Sequence, residues 1–428
     1  MVYYTENSPD RVIGREKAAA AVDVILDRFG DRKKVMILPP DITRAHSGAG
    51  MITELLWEKL GDRLTDILPA LGTHIPMTLD EIRKMYGRTP AGLFREHRWR
   101  TDIEELGRVP SSFISGVTGG RLTFDYPVQV NRLLASGDHD LIISVGQVVP
   151  HEVTGMANYN KNVFVGCGGS EAINKSHFIG AVHGIENILG TTDNPVRAVL
   201  NKASEIDAPR LPLIYILTVV APDSEGHLGI RGLFTGDDIE CFRQAAALSR
   251  ELNFTTLPQR LKKVVVWLDP EEFKSTWLGN KSIYRTRMAI ADEGELIVLA
   301  PGVRTFGEDP AIDRLIRKYG YRTTPEILAF TEANRDLQEN LSAAAHLIHG
   351  SPENRFRVTY AAGHLTRQEV ESVGYSFGEI DYLSEKYNPR NLQTGFHRTT
   401  DGEEFYFISN PATGLWKSAD KGTEGNSR

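Results

Sequence analysis

Apolar and polar positions along this chain alternate between two periods. Residues 16–29, EKAAAAVDVILDRF, space their apolar side chains as a helix does. VMIL at 35–38 is a short buried-strand run, stopped by Pro39 and Pro40. ITELLWEKL (52–60) returns to helical spacing, and DILPALG (66–72) predicts a strand and a turn. TLDEIRKMYG (78–87) predicts a helix with Thr78 as N-cap and Gly87 at its end. LIISVGQVVP (141–150) predicts a buried strand followed by a loop, and LIYILTVVA (213–221) a second buried strand. This alternation predicts an α/β fold with a largely parallel sheet.

A second block begins near residue 262. KKVVVWLD (262–269), GELIVLAPG (294–302) and FRVTYAAG (356–363) predict strands, with helical pattern between and after them. Turn and polar residues around Asn253–Arg260 separate the two blocks. The expected organisation is therefore two α/β domains with mostly parallel sheets. The first, 1–258, binds a cofactor and carries catalysis; the second, 262–412, closes over the substrate, with the active site in the cleft between them. The polar segment KSADKGTEGNSR (417–428) is expected to be a disordered tail.

Composition narrows the function. With 41% hydrophobic and 25% charged residues, the 428-residue chain is globular rather than disordered. A net charge of −7 argues against a general nucleic-acid binder. Two cysteines, Cys167 and Cys241, make neither a disulfide framework nor a cysteine-rich zinc site. The N-terminus MVYYTENSPDRVIG has no apolar core of a secretory signal. No apolar run approaches the roughly 18 residues of a membrane span. A cytoplasmic protein with neither nucleic-acid nor membrane partners is expected.

In open α/β sheets, ligands bind outside the carboxyl ends of strands. Three segments bring reactive side chains there. PPDITRAHSGAG (39–50) holds Asp41, Thr43 and Arg44. A carboxylate suits a ribose hydroxyl and an arginine suits a phosphate or carboxylate; the alternative is a turn with a surface ion pair. LGTHIPMT (71–78) holds His74, fit to take and give a proton near neutrality, although a lone loop histidine is more often structural. The densest segment, 146–184, holds His151, Lys161 and His177, with Gly and Asn enriched over 155–169. Gly166, Gly168 and Gly169 precede a helix predicted to start near Ser170, whose amides suit a phosphate. The dinucleotide spacing GxGxxG is not met, which disfavours an ordinary NAD-dependent dehydrogenase. His177 and His183 are too far apart to be neighbouring ligands on one helical face, and no HExxH or GxSxG occurs. A metal here would take few protein ligands and need the rest from elsewhere.

The order and spacing of Asp41, Arg44, His74, His151, Lys161 and His177 resemble the lactate racemase family, the nickel-pincer-nucleotide hydroxyacid racemases and epimerases. Its D-x-T-R segment is met by Asp41-Ile42-Thr43-Arg44, its G-T-H by Gly72-Thr73-His74, and its P-H-x-x-x-G by Pro150-His151 and Gly155. The resemblance is strongest over 35–184. It implies a cofactor, the nickel-pincer nucleotide (nickel pyridinium-3,5-bisthiocarboxylic acid mononucleotide), with Ni bound by His177 as the one protein ligand. It implies that Lys161 joins the cofactor through a thioamide. Asp41, Thr43 and Arg44 would hold the nucleotide, and His74 and His151 would handle the proton of the substrate hydroxyl. The implied reaction inverts C2 of a 2-hydroxy acid by hydride transfer through a 2-keto acid, because proton removal at C2 would leave a carbanion beside a carboxylate.

Two departures bear on the substrate. Many relatives have Ser-Gly-Gly before the lysine, where this chain has Asn158, Tyr159 and Asn160. Lactate racemases offer a Tyr-Gln-x-x-Lys segment to the substrate carboxylate; here Tyr284-Arg285-Thr286-Arg287-Met288 lacks the lysine, and Leu337 replaces an aromatic residue. Tyr284, Arg285 and Arg287 are thus the candidate substrate ligands, and a sugar acid of the gluconate/mannonate type is the expected substrate. The alternatives are a smaller 2-hydroxy acid (lactate, malate or an aryl-lactate) and a non-catalytic nucleotide- or sugar-binding protein. For the arginines the alternative is a solvent-facing role, paired with acids such as Asp292 and Glu293.

Overall fold

The structure, a computed structural model, describes residues 1–207, 211–223, 225–412 and 414–419. The chain divides into two compact units, the first spanning Met1–Asn253 and the second beginning at Phe254.

The first unit is built on a six-stranded sheet. Its strands are β1 (Val2–Asn7), β2 (Val35–Leu38), β3 (Leu64–Ile67), β6 (Leu141–Gln147), β9 (Leu213–Pro222) and β10 (Leu228–Gly236). A hairpin of β4 (Ile103–Val109) and β5 (Tyr126–Asn131) and a short one of β7 (Pro150–His151) and β8 (Gly155–Met156) lie outside it. The order is β1-β10-β9-β6-β2-β3. β9, β6, β2 and β3 run parallel, and β10 and β1 add antiparallel. β6 is buried at every position, as a central parallel strand covered on both faces must be. Strand alternation divides β2 between two cores. Val35 and Ile37 pack with Ile143, Val145 and Ile216 against the helices Arg15–Phe29 and Ala49–Leu60. Met36 and Leu38 point the other way, toward Val163, Val165, Ile173 and Ile179. The helix Arg15–Phe29 buries Ala18, Ala21, Val22 and Ile25, one stripe at helical spacing. Truncating a residue such as Ile143 to Ala would cost about 2–5 kcal/mol.

The second unit carries another six-stranded sheet, ordered β15-β14-β13-β12-β17-β16. Its strands are β12 (Leu261–Trp267), β13 (Ile290–Ala300), β14 (Arg357–Ala362), β15 (Ser376–Phe377), β16 (Gly395–Arg398) and β17 (Glu404–Ile408). All pairs are parallel except β16 with β17. Both units are thus mixed α/β with mostly parallel sheets, as the sequence pattern predicts.

Three local expectations change. The strand expected within 66–72 runs instead over Leu64–Ile67, since Pro69 cannot donate to a ladder. Phe254–Leu257 (β11), placed in the first domain from sequence, pairs in parallel with Leu415–Ser418 (β18). Lys417 and Ser418, expected in the tail, therefore belong to a strand, while 420–428 lie outside the described residues. Among the described residues no helix is long and apolar enough to cross a membrane.

Candidate active site

Three loops leave the carboxyl ends of neighbouring parallel strands. β2 ends at Leu38 and leads through two prolines to Asp41; β3 ends at Ile67 and leads to His74; β6 ends at Gln147 and leads to His151. Because β2 lies between β3 and β6, the sheet itself places these loops side by side.

Asp41 is buried and caps the short helix Ile42–Ser47. Its Oδ1 accepts from the Thr43 amide at 3.0 Å and from the Thr43 hydroxyl. Its Oδ2 lies 2.5 Å from Nδ1 of the half-exposed His74. Burial alone would raise the Asp41 carboxyl, but the bonds from His74 and Thr43 outweigh it and hold it below its ordinary value. The surface ion pair considered for Asp41 and Arg44 is not what forms. The carboxylate that sequence reading gives to a ribose has His74 and Thr43 as its partners. Arg44 is half-buried, and its side chain makes no hydrogen bond or ion pair among the described residues. Its charge reaches His151 and Lys161, lowering both.

Lys161, His151 and His177 share that neighbourhood. Burial, and then Arg44, push the Lys161 ammonium down to about 8, against a smaller pull from Glu152 and Asp41. A substantial neutral fraction near neutrality makes its amine a nucleophile. His177 lies on the helix Ser170–His183, and its Nδ1 donates to the Ile173 carbonyl at 2.7 Å. Burial pushes its imidazole down to about 4, so it is neutral at pH 7. Its Nε2 lone pair has no partner among the described residues, which is the tautomer a metal ligand needs. His151 is likewise held well below its ordinary value by burial, with Lys161, Arg44 and His177 adding to the effect. Among the described residues no three His, Cys, Asp or Glu side chains converge on one point, so a metal here would have to bring other ligands with it.

The loop before Lys161 is held by residues that sequence reading did not single out. Asn158 and Tyr159 both take positive φ, 67° and 60°, a conformation that costs each non-glycine residue roughly 1–2 kcal/mol. Several contacts offset this. Arg197, fully buried, donates to the Met156 carbonyl at 2.6 Å and to Asn160 Oδ1 at 2.5 Å, and lies over the Phe242 ring. Tyr159 stacks on Phe242 with 5.3 Å between centroids and tilts against Tyr215. A Cβ on Gly146 would come within 2.4 Å of Asn158 Nδ2, so only glycine lets β6 pass beneath this loop. On its far side, His97 takes the Gly168 carbonyl at Nε2 (3.1 Å) and meets Asn131 Nδ2 at Nδ1 (3.1 Å), fixing the turn that starts the His177 helix. Arg197, His97 and Asn131 act across long sequence separations, and no local motif marks them.

Tyr284, Arg285 and Arg287 belong to the second unit, and all three are buried. The solvent-facing alternative for the two arginines is therefore overturned, and Asp292 pairs with Arg355 at 2.9 Å and with Arg260 at 3.8 Å. The Tyr284 hydroxyl meets His346 Nδ1 at 2.7 Å, and Arg287 Nη1 donates to the carbonyls of His349 and Ser351. Leu337 is fully buried.

Fold and site together define an α/β protein whose parallel-strand loops carry Asp41, Arg44, His74 and His151, with Lys161 and His177 in the same neighbourhood. A family profile described as the lactate racemase N-terminal domain matches residues 20–188. A crystal structure of a protein from Thermotoga maritima superposes with a TM-score of 0.82 at 25% identity, covering 97% of this chain and 100% of that one. The lactate racemase apoprotein from Thermoanaerobacterium thermosaccharolyticum superposes at 0.71 and 16% identity, covering 96% and 94%. No curated protein matches the sequence. Residues 20–188 are thus similar to the lactate racemase N-terminal domain, and the chain shares the fold of the lactate racemase apoprotein.

Proposed function

We propose that this chain is a nickel-pincer-nucleotide-dependent racemase or epimerase that inverts C2 of a 2-hydroxy acid, with a sugar acid of the gluconate/mannonate type as substrate. One observation carries the reading. Around the part-buried Lys161 with its lowered ammonium stand Arg44, whose side chain has no ion-pair partner among the described residues, and His177 with its Nε2 lone pair open. Ordinary packing requires none of these features. They fit a nucleotide that brings its own nickel ligands: His177 Nε2 would bind the nickel, the Lys161 amine would make the covalent link, and Arg44 would face an anionic group. When bound, the cofactor would supply a hydride acceptor, so that C2 passes through a planar keto acid and never a carbanion.

The protein's own task is to bind the acid, shield it from water and manage one proton. His74 and His151 serve the substrate hydroxyl; Arg285 and Arg287 are the candidate ligands for carboxylate and hydroxyls. The sugar-acid assignment rests on that second arginine-rich segment and on the polar loop Asn158-Tyr159-Asn160, because unsatisfied substrate hydroxyls would cost roughly 1–3 kcal/mol each. The test is a panel of 2-hydroxy acids given to cofactor-loaded protein whose nickel content and near-ultraviolet absorption have been measured. Turnover of gluconate or mannonate above lactate is expected, with Arg285→Ala raising KM. Faster turnover of lactate would replace the substrate, and no inversion of any 2-hydroxy acid by nickel-loaded protein would end the reading.

A further inference from the structure

The two histidines offered to the substrate hydroxyl are held by their rings in opposite senses. His74 meets Asp41 through Nδ1. Asp41 is a carboxylate near neutrality and can only accept, so the proton sits on His74 Nδ1 and the neutral ring leaves a lone pair on Nε2. His151 is the reverse. Its Nδ1 faces the backbone N–H groups of Val153 at 3.1 Å and Thr154 at 3.4 Å, both of them donors. A proton on that nitrogen would oppose two N–H groups, so Nδ1 is bare and the neutral ring carries its proton on Nε2. Gly155 holds the turn in this shape: its φ is +79°, and a Cβ there would come within 2.2 Å of the Thr191 carbonyl oxygen. Neither Nε2 has a partner among the described residues.

Resting on the racemase reading above, we infer that the two histidines are not a symmetric pair of bases: His74, backed by Asp41, takes and returns the hydroxyl proton, while His151 holds the substrate oxygen through its Nε2–H. The step balances. The hydroxyl proton moves to His74 Nε2. The cofactor, when bound, would supply the acceptor for the C2 hydrogen and its electron pair, so that C2=O can form as C2–H breaks. His151 keeps its proton and its hydrogen bond strengthens as the oxygen gains charge in the transition state. For return the cofactor would give the hydrogen and its electron pair back to the opposite face of C2, while His74 gives its proton back to the oxygen. Asp41 is the positioning residue, fixing which nitrogen of His74 is bare.

The test begins without cofactor. The full chain is labelled with nitrogen-15 in histidine and its ring nitrogens are read by long-range proton–nitrogen correlation at neutral pH. His74→Gln and His151→Gln provide the assignments. The expected result is the protonated, pyrrole-type nitrogen at Nδ1 of His74 and at Nε2 of His151. The same tautomer on both rings, or an averaged pair of signals at His151, overturns the inference. In loaded protein, His151→Gln keeps an N–H donor but cannot carry a proton. It should lose about 10–100-fold in turnover, and His74→Gln about 1,000-fold or more. Equal losses overturn the assignment of roles. If nickel-loaded wild type inverts no 2-hydroxy acid while the tautomers are opposite, the functional reading fails and the tautomers stand.

Discussion

His346 of the second unit and the candidate histidines of the first differ in how their ring nitrogens are held. In the second unit His346 meets Tyr284 at Nδ1 (2.7 Å) and Tyr321 at Nε2 (2.9 Å), and it stacks on Trp277 at 4.4 Å. Tyr321 in turn meets Thr276 at 2.8 Å. Both nitrogens have partners, and the ring is a structural strut. In the first unit His177 and His151 each occupy one nitrogen with backbone, and His74 occupies one with a carboxylate. Each leaves Nε2 available. The difference sets the candidate histidines apart from His346, but anchoring at one nitrogen does not by itself mark a reactive ring: His139 meets Asp66 through Nε2 at 2.8 Å and its Nδ1 has no partner among the described residues. His97, in the first unit, resembles His346 in having both nitrogens engaged.

The comparison can be broken most severely at His177. His177→Ala should reduce both nickel retention and racemisation to background while the protein keeps a cooperative melting transition; unchanged nickel in a folded variant would remove it from that role. Asp41→Asn should leave nickel bound but lower kcat by about 100- to 10,000-fold, because the amide lets His74 adopt the wrong tautomer. Steady-state kinetics with metal analysis would read this, and a loss confined to nickel content would argue for a cofactor role instead. His346→Ala should do the opposite. It leaves two buried hydroxyls short of a partner and opens a cavity, costing about 2–4 kcal/mol in denaturant unfolding without changing nickel content. The smallest effect concerns Lys161. Its ammonium ordinarily titrates at 10.5 and is lowered to about 8 in the fold, so burial penalises the charged form. That penalty is complete below about pH 8 and fades as pH rises toward 10.5, where the unfolded chain also loses the proton. Lys161→Met should therefore stabilise the cofactor-free protein by about 1–3 kcal/mol at pH 7 and progressively less between pH 8 and 10.5. A pH-independent gain would mean that the fold does not lower the ammonium at all.

What the sequence made legible follows from range. β2, β6 and β9 are apolar runs buried on both faces, and their composition alone marks them. The helix Leu79–Tyr86 is announced by Thr78 and Glu81, which form the reciprocal cap in the structure. The reactive loops are legible because each follows a strand and carries a short motif. Arg197, His97 and the β11–β18 pairing were not legible, because each is a contact between distant segments with no local signature. Tautomers were beyond reach for the same reason: the partner of His74 lies in a different loop. Asn158 and Tyr159 in left-handed backbone run against local propensity, and only the buried Arg197 and the aromatic stack explain them.

The central claim is that hydrogen leaves and returns to C2 as hydride, without exchange with water. Loaded protein incubated with one C2 epimer in heavy water and followed by proton NMR tests it directly. The account predicts that the other epimer accumulates with its C2 hydrogen retained. Deuterium appearing at C2 during inversion would show proton abstraction and contradict it.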